Sequence, residues 1–168
     1  ATVTYSLPPH LPSTTCMDAL THAMEEYIGK STTQKTRRLS LEAVKLIFEN
    51  IETAYNEPSN STARSNMLLA AYKAGVAFSM SYVGYIHCIA HSLGGEYNIP
   101  HGLANSVLLP VVLEEYGDSI YKKLHQLAIA AGVASENTTD KDAALTFIQA
   151  IREKNDNMNI PRTLSSIK

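Results

Sequence analysis

The sequence predicts an all-α protein of about six or seven helices, and three observations carry that reading. From Ser13 onward, apolar residues recur at three- and four-residue steps almost without interruption. No run of strict apolar–polar alternation is long enough to build a sheet. Glycine, proline and asparagine then divide the pattern into segments of ordinary helix length.

Ala1 to Pro12 reads as an extended, proline-rich linker arriving from another domain. Pro8, Pro9 and Pro12 each lack an amide proton and push the preceding residue out of the helical region. Residues 13–168 form the helical domain. Its first helix, capped by Thr14 or Thr15, is marked by Met17, Leu20, Met24 and Tyr27 and stops at Gly29. Lys30 to Arg38 is a polar loop or a frayed helix start. Leu39–Tyr55 repeats the pattern with Leu41, Val44, Ile47 and Ile51, and Glu57-Pro58-Ser59-Asn60 breaks it. Thr62–Met80 is the most apolar helix, and its small residues suit close packing. Val83–Leu93 follows and stops at Gly94-Gly95. Gly102–Glu115, Ile120–Ala131 and Lys141–Lys154 complete the series.

At 168 residues the chain can bury a real core without disulfides. Its 14 basic and 16 acidic residues leave a net charge of −2, which argues against a broad nucleic-acid or anionic-membrane surface. No apolar run reaches the ~18 residues of a membrane span, and no secretory signal opens the chain. Cys16 and Cys88 form neither a disulfide framework nor a CxxC motif, so a reducing cytoplasm is the expected compartment.

The informative residues are histidines. His87, His91 and His101 fall within fifteen residues. His87 and His91, four apart, share a helix face with Val83, Ala90 and Gly94. A single such histidine is more often a satisfied core residue. Three together suit a borderline metal such as zinc or ferrous iron. Upstream, Asp18 and His22 are also four apart and would add a carboxylate and another imidazole. The alternative for Asp18 is a helix cap, since Thr15-Cys16-Met17-Asp18 fits the S/T-x-x-D pattern. Cys88 lies off the His87 face and reads as a small buried hydrophobe, and His10 and His125 read as surface residues. Pro100 fixes the approach to His101, and Gly102 frees the backbone to turn before the next helix.

These motifs resemble the iron-containing alcohol dehydrogenases, specifically their C-terminal helical domain. The resemblance is carried by Met17-Asp18-Ala19-Leu20-Thr21-His22-Ala23-Met24-Glu25-Glu26-Tyr27, by Ala74-Gly75-Val76-Ala77-Phe78, by His87 through His91, and by Pro100-His101-Gly102-Leu103-Ala104-Asn105 with Leu108-Leu109-Pro110. It implies the helical domain of the dehydroquinate synthase-like fold. It also implies one divalent metal, ferrous iron before zinc, held by Asp18, His22, His87 and His101. His91 matches a histidine that sits beside the metal and touches substrate or passes protons. The implied reaction is hydride exchange between a small alcohol or aldehyde and NAD or NADP, with the metal as a Lewis acid.

The family pattern includes an N-terminal nucleotide-binding domain with a glycine-rich phosphate loop, and no such loop or G-x-G-x-x-G fingerprint occurs here. The chain alone is therefore expected to be inactive, its partner being that domain, and self-association is expected through apolar surface left bare. Cys16 replaces the usual glycine before Met17, and Ser79–Tyr85 is bulkier than is usual in the family. The alternatives are a glycerol dehydrogenase-like relative and a helical fragment with only a structural or metal-holding role. A helical metallo-phosphohydrolase is disfavoured because no His-Asp dipeptide occurs.

Overall fold

A computed structural model describes residues 10–80 and 84–167. Its regular elements are the helices α1 (His10–Ile28), α2 (Gln34–Asn56), α3 (Ser61–Ser79), α4 (Tyr85–Tyr97), α5 (His101–Tyr116), α6 (Tyr121–Ala130) and α7 (Asp140–Asn157). Short 3-10 turns occupy Gly117–Ile120 and Leu164–Ser166. Among the described residues there is no strand, and no helix is long and apolar enough to cross a membrane. The all-α expectation holds.

The arrangement is organised around α1, which packs against α2, α3 and α5 and touches α4 and α6. Met17, Leu20, Ala23 and Met24 are fully buried. A helix enclosed this way has little solvent-facing surface for its polar residues, so those must find partners inside. The Thr21 hydroxyl donates to the Met17 carbonyl at 2.9 Å. Ser40 of α2 donates to Glu26 Oε2 at 2.5 Å. Lys123 of α6 donates to the carbonyls of Ile28 and Gly29 at 2.6 and 3.0 Å, closing the negative end of α1.

Several helix limits differ from the sequence reading, each for a physical reason. α1 begins at His10, so residues 10–12 are helix rather than linker. Pro12 falls in the first turn, where its missing N–H has no intrahelical role. Thr15 and Asp18 therefore lie inside the helix, and the capping role for Asp18 is overturned. The linker reading of residues 1–9, and the expectations for Tyr82 and Val83, lie outside the described residues, as does the surface reading of the His10 side chain. α2 starts early, at Gln34, because Thr33 and Thr36 form a reciprocal capping box. α4 runs through Gly94 and Gly95 to Tyr97 and ends at Asn98, whose φ of 55° is left-handed. Glycine permits a stop but does not impose one. α3 buries a stripe of Ala63, Ala70, Ala74 and Ala77 with Met67, while Leu68 and Leu69 are exposed. The small side chains let α3 approach α2 closely.

α5 carries Pro110 within the helix. Proline removes the amide that would bond the Ser106 carbonyl one turn earlier. Asn155 of α7 supplies the replacement, its Nδ2 donating to Ser106 O at 2.8 Å in a buried setting. Gly102, in the first turn of α5, lies against α1. A Cβ there would stand 2.7 Å from the Thr14 carbonyl oxygen. Its role is close approach of two backbones rather than the turn expected from sequence. It brings the start of α5 to Asp18.

Replacing Asn155 with Leu should cost about 1–3 kcal/mol, the penalty for a buried carbonyl left without a donor. Pro110→Ala restores the missing amide, so the same substitution in that background should cost clearly less. Denaturant unfolding of the four proteins checks this, and equal costs would refute the compensation.

Candidate metal centre

Three helices converge on one point. α1 contributes Asp18, His22 and Glu25, at steps of four and three residues that place them on one face. α4 contributes His87, and α5 contributes His101 and Asn105. One donor atom each from Asp18, His22 and His87 lies within 4.8 Å of the other two. Asp18 Oδ1 is the hub. It stands 3.4 Å from His87 Nε2 and 3.3 Å from His101 Nε2. It also accepts a hydrogen bond from Asn105 Nδ2 at 2.5 Å.

The imidazoles are locked by stacking. The His22 ring lies 4.3 Å from the His87 ring at an interplanar angle of 6°. Phe78 of α3 packs beside the stacked pair, its centroid 4.3 Å from that of His22 and 5.6 Å from that of His87. His87 is 1% exposed, and its Nδ1 is 2.6 Å from Glu25 Oε2. His87 Nε2 is buried with no well-formed hydrogen bond, although Asp18 Oδ1 stands 3.4 Å away. A buried polar atom left in that state calls for a group to fill the gap.

The electrostatics point the same way. Burial pushes the His22 and His101 imidazoles down, assisted by the neighbouring histidines and opposed by Asp18, so both are held neutral near pH 7. Burial would raise the Asp18 carboxyl, but the surrounding imidazoles and Asn105 hold it below its ordinary value. Burial also acts downward on His87, yet contacts with Asp18 and Glu25 overcome it and raise His87 to about 9. The metal-free site thus holds a proton where a cation would sit. A divalent ion fits this donor set: one carboxylate, two neutral imidazoles and a third imidazole whose Nε2 faces the carboxylate and becomes a donor once its proton leaves.

The sequence singled out Asp18, His22, His87, His101 and His91. The structure brings Asp18, His22 and His87 tightly together and attaches His101 through Asp18. His91 does not share the buried face of His87. It is exposed, its ring centroid 6.5 Å from that of His87 and 4.9 Å from that of His101. α4 buries only Ile86, His87 and Ala90, a stripe too narrow to include the next turn. Cys88 is likewise exposed, which corrects its reading as a buried hydrophobe. Cys16 is buried with its thiol pushed up to about 12, and neither cysteine is in a disulfide. His125 is not a bare surface residue, since it contacts Asp140 Oδ1 at 2.7 Å and the Ser135 carbonyl at 2.9 Å. Glu25 and Asn105 lay inside quoted motifs without a role. Their signals were spacing: Glu25 three residues after His22, and Asn105 four after His101.

An all-helical bundle that draws a carboxylate and two imidazoles within 4.8 Å of one another, with a third imidazole beside the carboxylate, presents a candidate metal site. Residues 13–168 match the family described as Fe-containing alcohol dehydrogenase family, C-terminal, and the chain belongs to that family. Alcohol dehydrogenase 4 of Saccharomyces cerevisiae is 37% identical over 165 residues, covering 97% of this chain and 42% of the yeast protein. The 1,3-propanediol dehydrogenase of Citrobacter freundii is 39% identical over 160 residues, covering 95% of this chain and 41% of that protein. The crystal structure of a 1,3-propanediol oxidoreductase superposes with a TM-score of 0.93 at 38% identity, covering 96% of this chain and 42% of that one. The alcohol dehydrogenase from Oenococcus oeni gives 0.93 at 31% identity, covering 97% and 43%. The chain therefore spans about two-fifths of the length of these relatives.

A raised histidine stabilises the folded state fully below its unfolded value of about 6.5, and that contribution is lost as pH climbs through about 9. Metal-free protein should lose stability between pH 7 and 9, and His87→Gln should flatten this limb. Thermal melts across that range decide it; an unchanged slope in the variant would assign the effect elsewhere.

Proposed function

We propose that this chain is the metal-holding part of an NAD- or NADP-linked alcohol dehydrogenase that interconverts small primary alcohols and aldehydes. The observation that carries the reading is the convergence of Asp18, His22 and His87 on a buried His87 nitrogen without a partner. Asp18, His22, His87 and His101 would hold one divalent ion, iron by family and zinc by the same donor chemistry. When bound, that ion supplies Lewis-acid polarisation of the substrate oxygen.

The chain's own residues account for the rest. Asp18 provides the negative charge, and Asn105 holds its Oδ1 in place. His22 and His101 already offer neutral nitrogens. His87 must release the proton on Nε2, so uptake weakens as pH falls below about 9. His91 stands on the exposed side of His101, where it can meet a substrate hydroxyl and carry its proton outward. The relatives named for 1,3-propanediol, butanol and 1-propanol support a short aliphatic substrate. No phosphate-binding loop occurs in this sequence, and the matched relatives are more than twice as long. The nicotinamide nucleotide would therefore be held largely by a separate domain.

The test joins this chain to the N-terminal part of one of these relatives. The chimaera should bind about one metal ion and oxidise 1-propanol with NAD or NADP. His87→Ala should lose both metal and turnover. His91→Ala should keep the metal and lose about 10²–10⁴ in turnover, the usual share of a positioned acid–base group. Elemental analysis and NAD(P)H absorbance read the outcome. Equal metal loss in both variants would refute the ligand roles. A folded, loaded chimaera without turnover would refute hydride transfer.

A further inference from the structure

Glu25 makes two contacts that belong to different tasks. Its Oε1 accepts the Ile86 N–H at 2.5 Å, and its Oε2 lies 2.6 Å from His87 Nδ1. Ile86 sits in the first turn of α4, where amides have no carbonyl within the helix. The residue before the helix, Gly84, offers no side-chain cap. The carboxylate of α1 thus crosses to α4 and satisfies its start, with the helix dipole favouring the negative charge. Space for it exists only because residue 84 is glycine. A Cβ at Gly84 would stand 2.2 Å from Glu25 Cδ.

A carboxylate only accepts hydrogen bonds, and both of its contacts must therefore be donors. His87 Nδ1 carries the hydrogen, and in the neutral ring Nε2 is left as a bare acceptor. Nε2 is the buried atom without a partner that faces Asp18. We propose that Glu25 is the positioning residue of the metal centre, fixing the tautomer and ring orientation of His87 so that Nε2 is presented to the cation. The inference rests on the metal-centre reading above. It adds a pre-set ligand whose geometry comes from the fold and not from the ion.

The decisive variant is Glu25→Gln, which keeps the shape and loses the acceptor-only chemistry. If its carbonyl oxygen keeps the Ile86 N–H, its NH2 group meets Nδ1 and drives the ring proton onto Nε2. If the amide is flipped, its NH2 group faces the Ile86 N–H, donor against donor. Either way the pairing fails, whereas Glu25→Asp keeps an acceptor-only group with shorter reach.

The experiment measures zinc affinity by competition with a chromophoric chelator. It also records ¹⁵N spectra of His87 in the alkaline, metal-free chain, where the ring is neutral. Wild type should show Nδ1–H, and a folded Glu25→Gln variant should show Nε2–H with zinc affinity reduced about 10–100-fold. Glu25→Asp should retain Nδ1–H. Wild-type affinity in folded Glu25→Gln, or Nε2–H in the wild type, would overturn the proposal. Should Glu25→Gln fail to fold, the wild-type and Glu25→Asp spectra still decide the tautomer. Should wild type and His87→Ala bind zinc equally poorly, the metal-centre reading fails while the tautomer result stands alone.

Discussion

The structure depends on one constraint: α1 is enclosed by other helices and still carries polar residues along its length. Asp18, His22, Glu25 and Glu26 sit on a helix whose neighbours Met17, Leu20, Ala23 and Met24 have no exposure at all. Burying a charged or polar side chain without a partner costs several kcal/mol, so each must be met from another element. Ser40 of α2 meets Glu26, the start of α4 meets Glu25, and Asn105 of α5 meets Asp18. The polar stripe of α1 thereby dictates where α2, α4 and α5 dock. The site is the place where those demands are concentrated, and fold and site share the same contacts.

Much of this was legible in the sequence because it is local. The three- and four-residue steps placed every helix, and Asp18–His22 and His101–Asn105 are spaced by one turn. What was not legible depends on partners distant in sequence. α4 could be read to stop at Gly94, since nothing local shows that Asn98 takes the left-handed conformation. His91 and Cys88 were misplaced because periodicity gives the direction of a face but not the width of the stripe that a neighbour covers. Gly84 carried no reading, and Gly102 was read as a turn residue only. Their necessity comes from Glu25 and from the Thr14 carbonyl, which are dozens of residues away in sequence. The helix was read straight through Pro110, and nothing local shows that Asn155 takes up the carbonyl it frees.

The charge balance follows from the same enclosure. Two carboxylates, Asp18 and Glu25, flank His87, and together they outweigh the cost of burying its charge. Were all the imidazoles equally close to both carboxylates, the site would gather several protons and repel a cation. Stacking prevents that: His22 lies parallel on His87, so a charge on one disfavours a charge on the other. The outcome favours a proton on His87, while His22 and His101 are shifted toward the neutral form. A cation held there would compete with one proton and not with several.

The site is also asymmetric, and that asymmetry bears on its chemistry. Its inner wall is made by α1, Phe78 and the buried edge of α4, with His87 fully enclosed and Asp18, His22 and Phe78 partly so. Its other wall is made by the exposed His101 at the start of α5 and the exposed His91 in the middle of α4. Asp18, His22 and His87 lie on the inner side, where packing and second contacts restrict their rotamers. His91 and His101 lie on the open side, within reach of solvent. Burial on one side favours ligand precision, and exposure on the other favours access. His101 sits at the boundary, close enough to Asp18 to act with the buried set and open enough to act with His91.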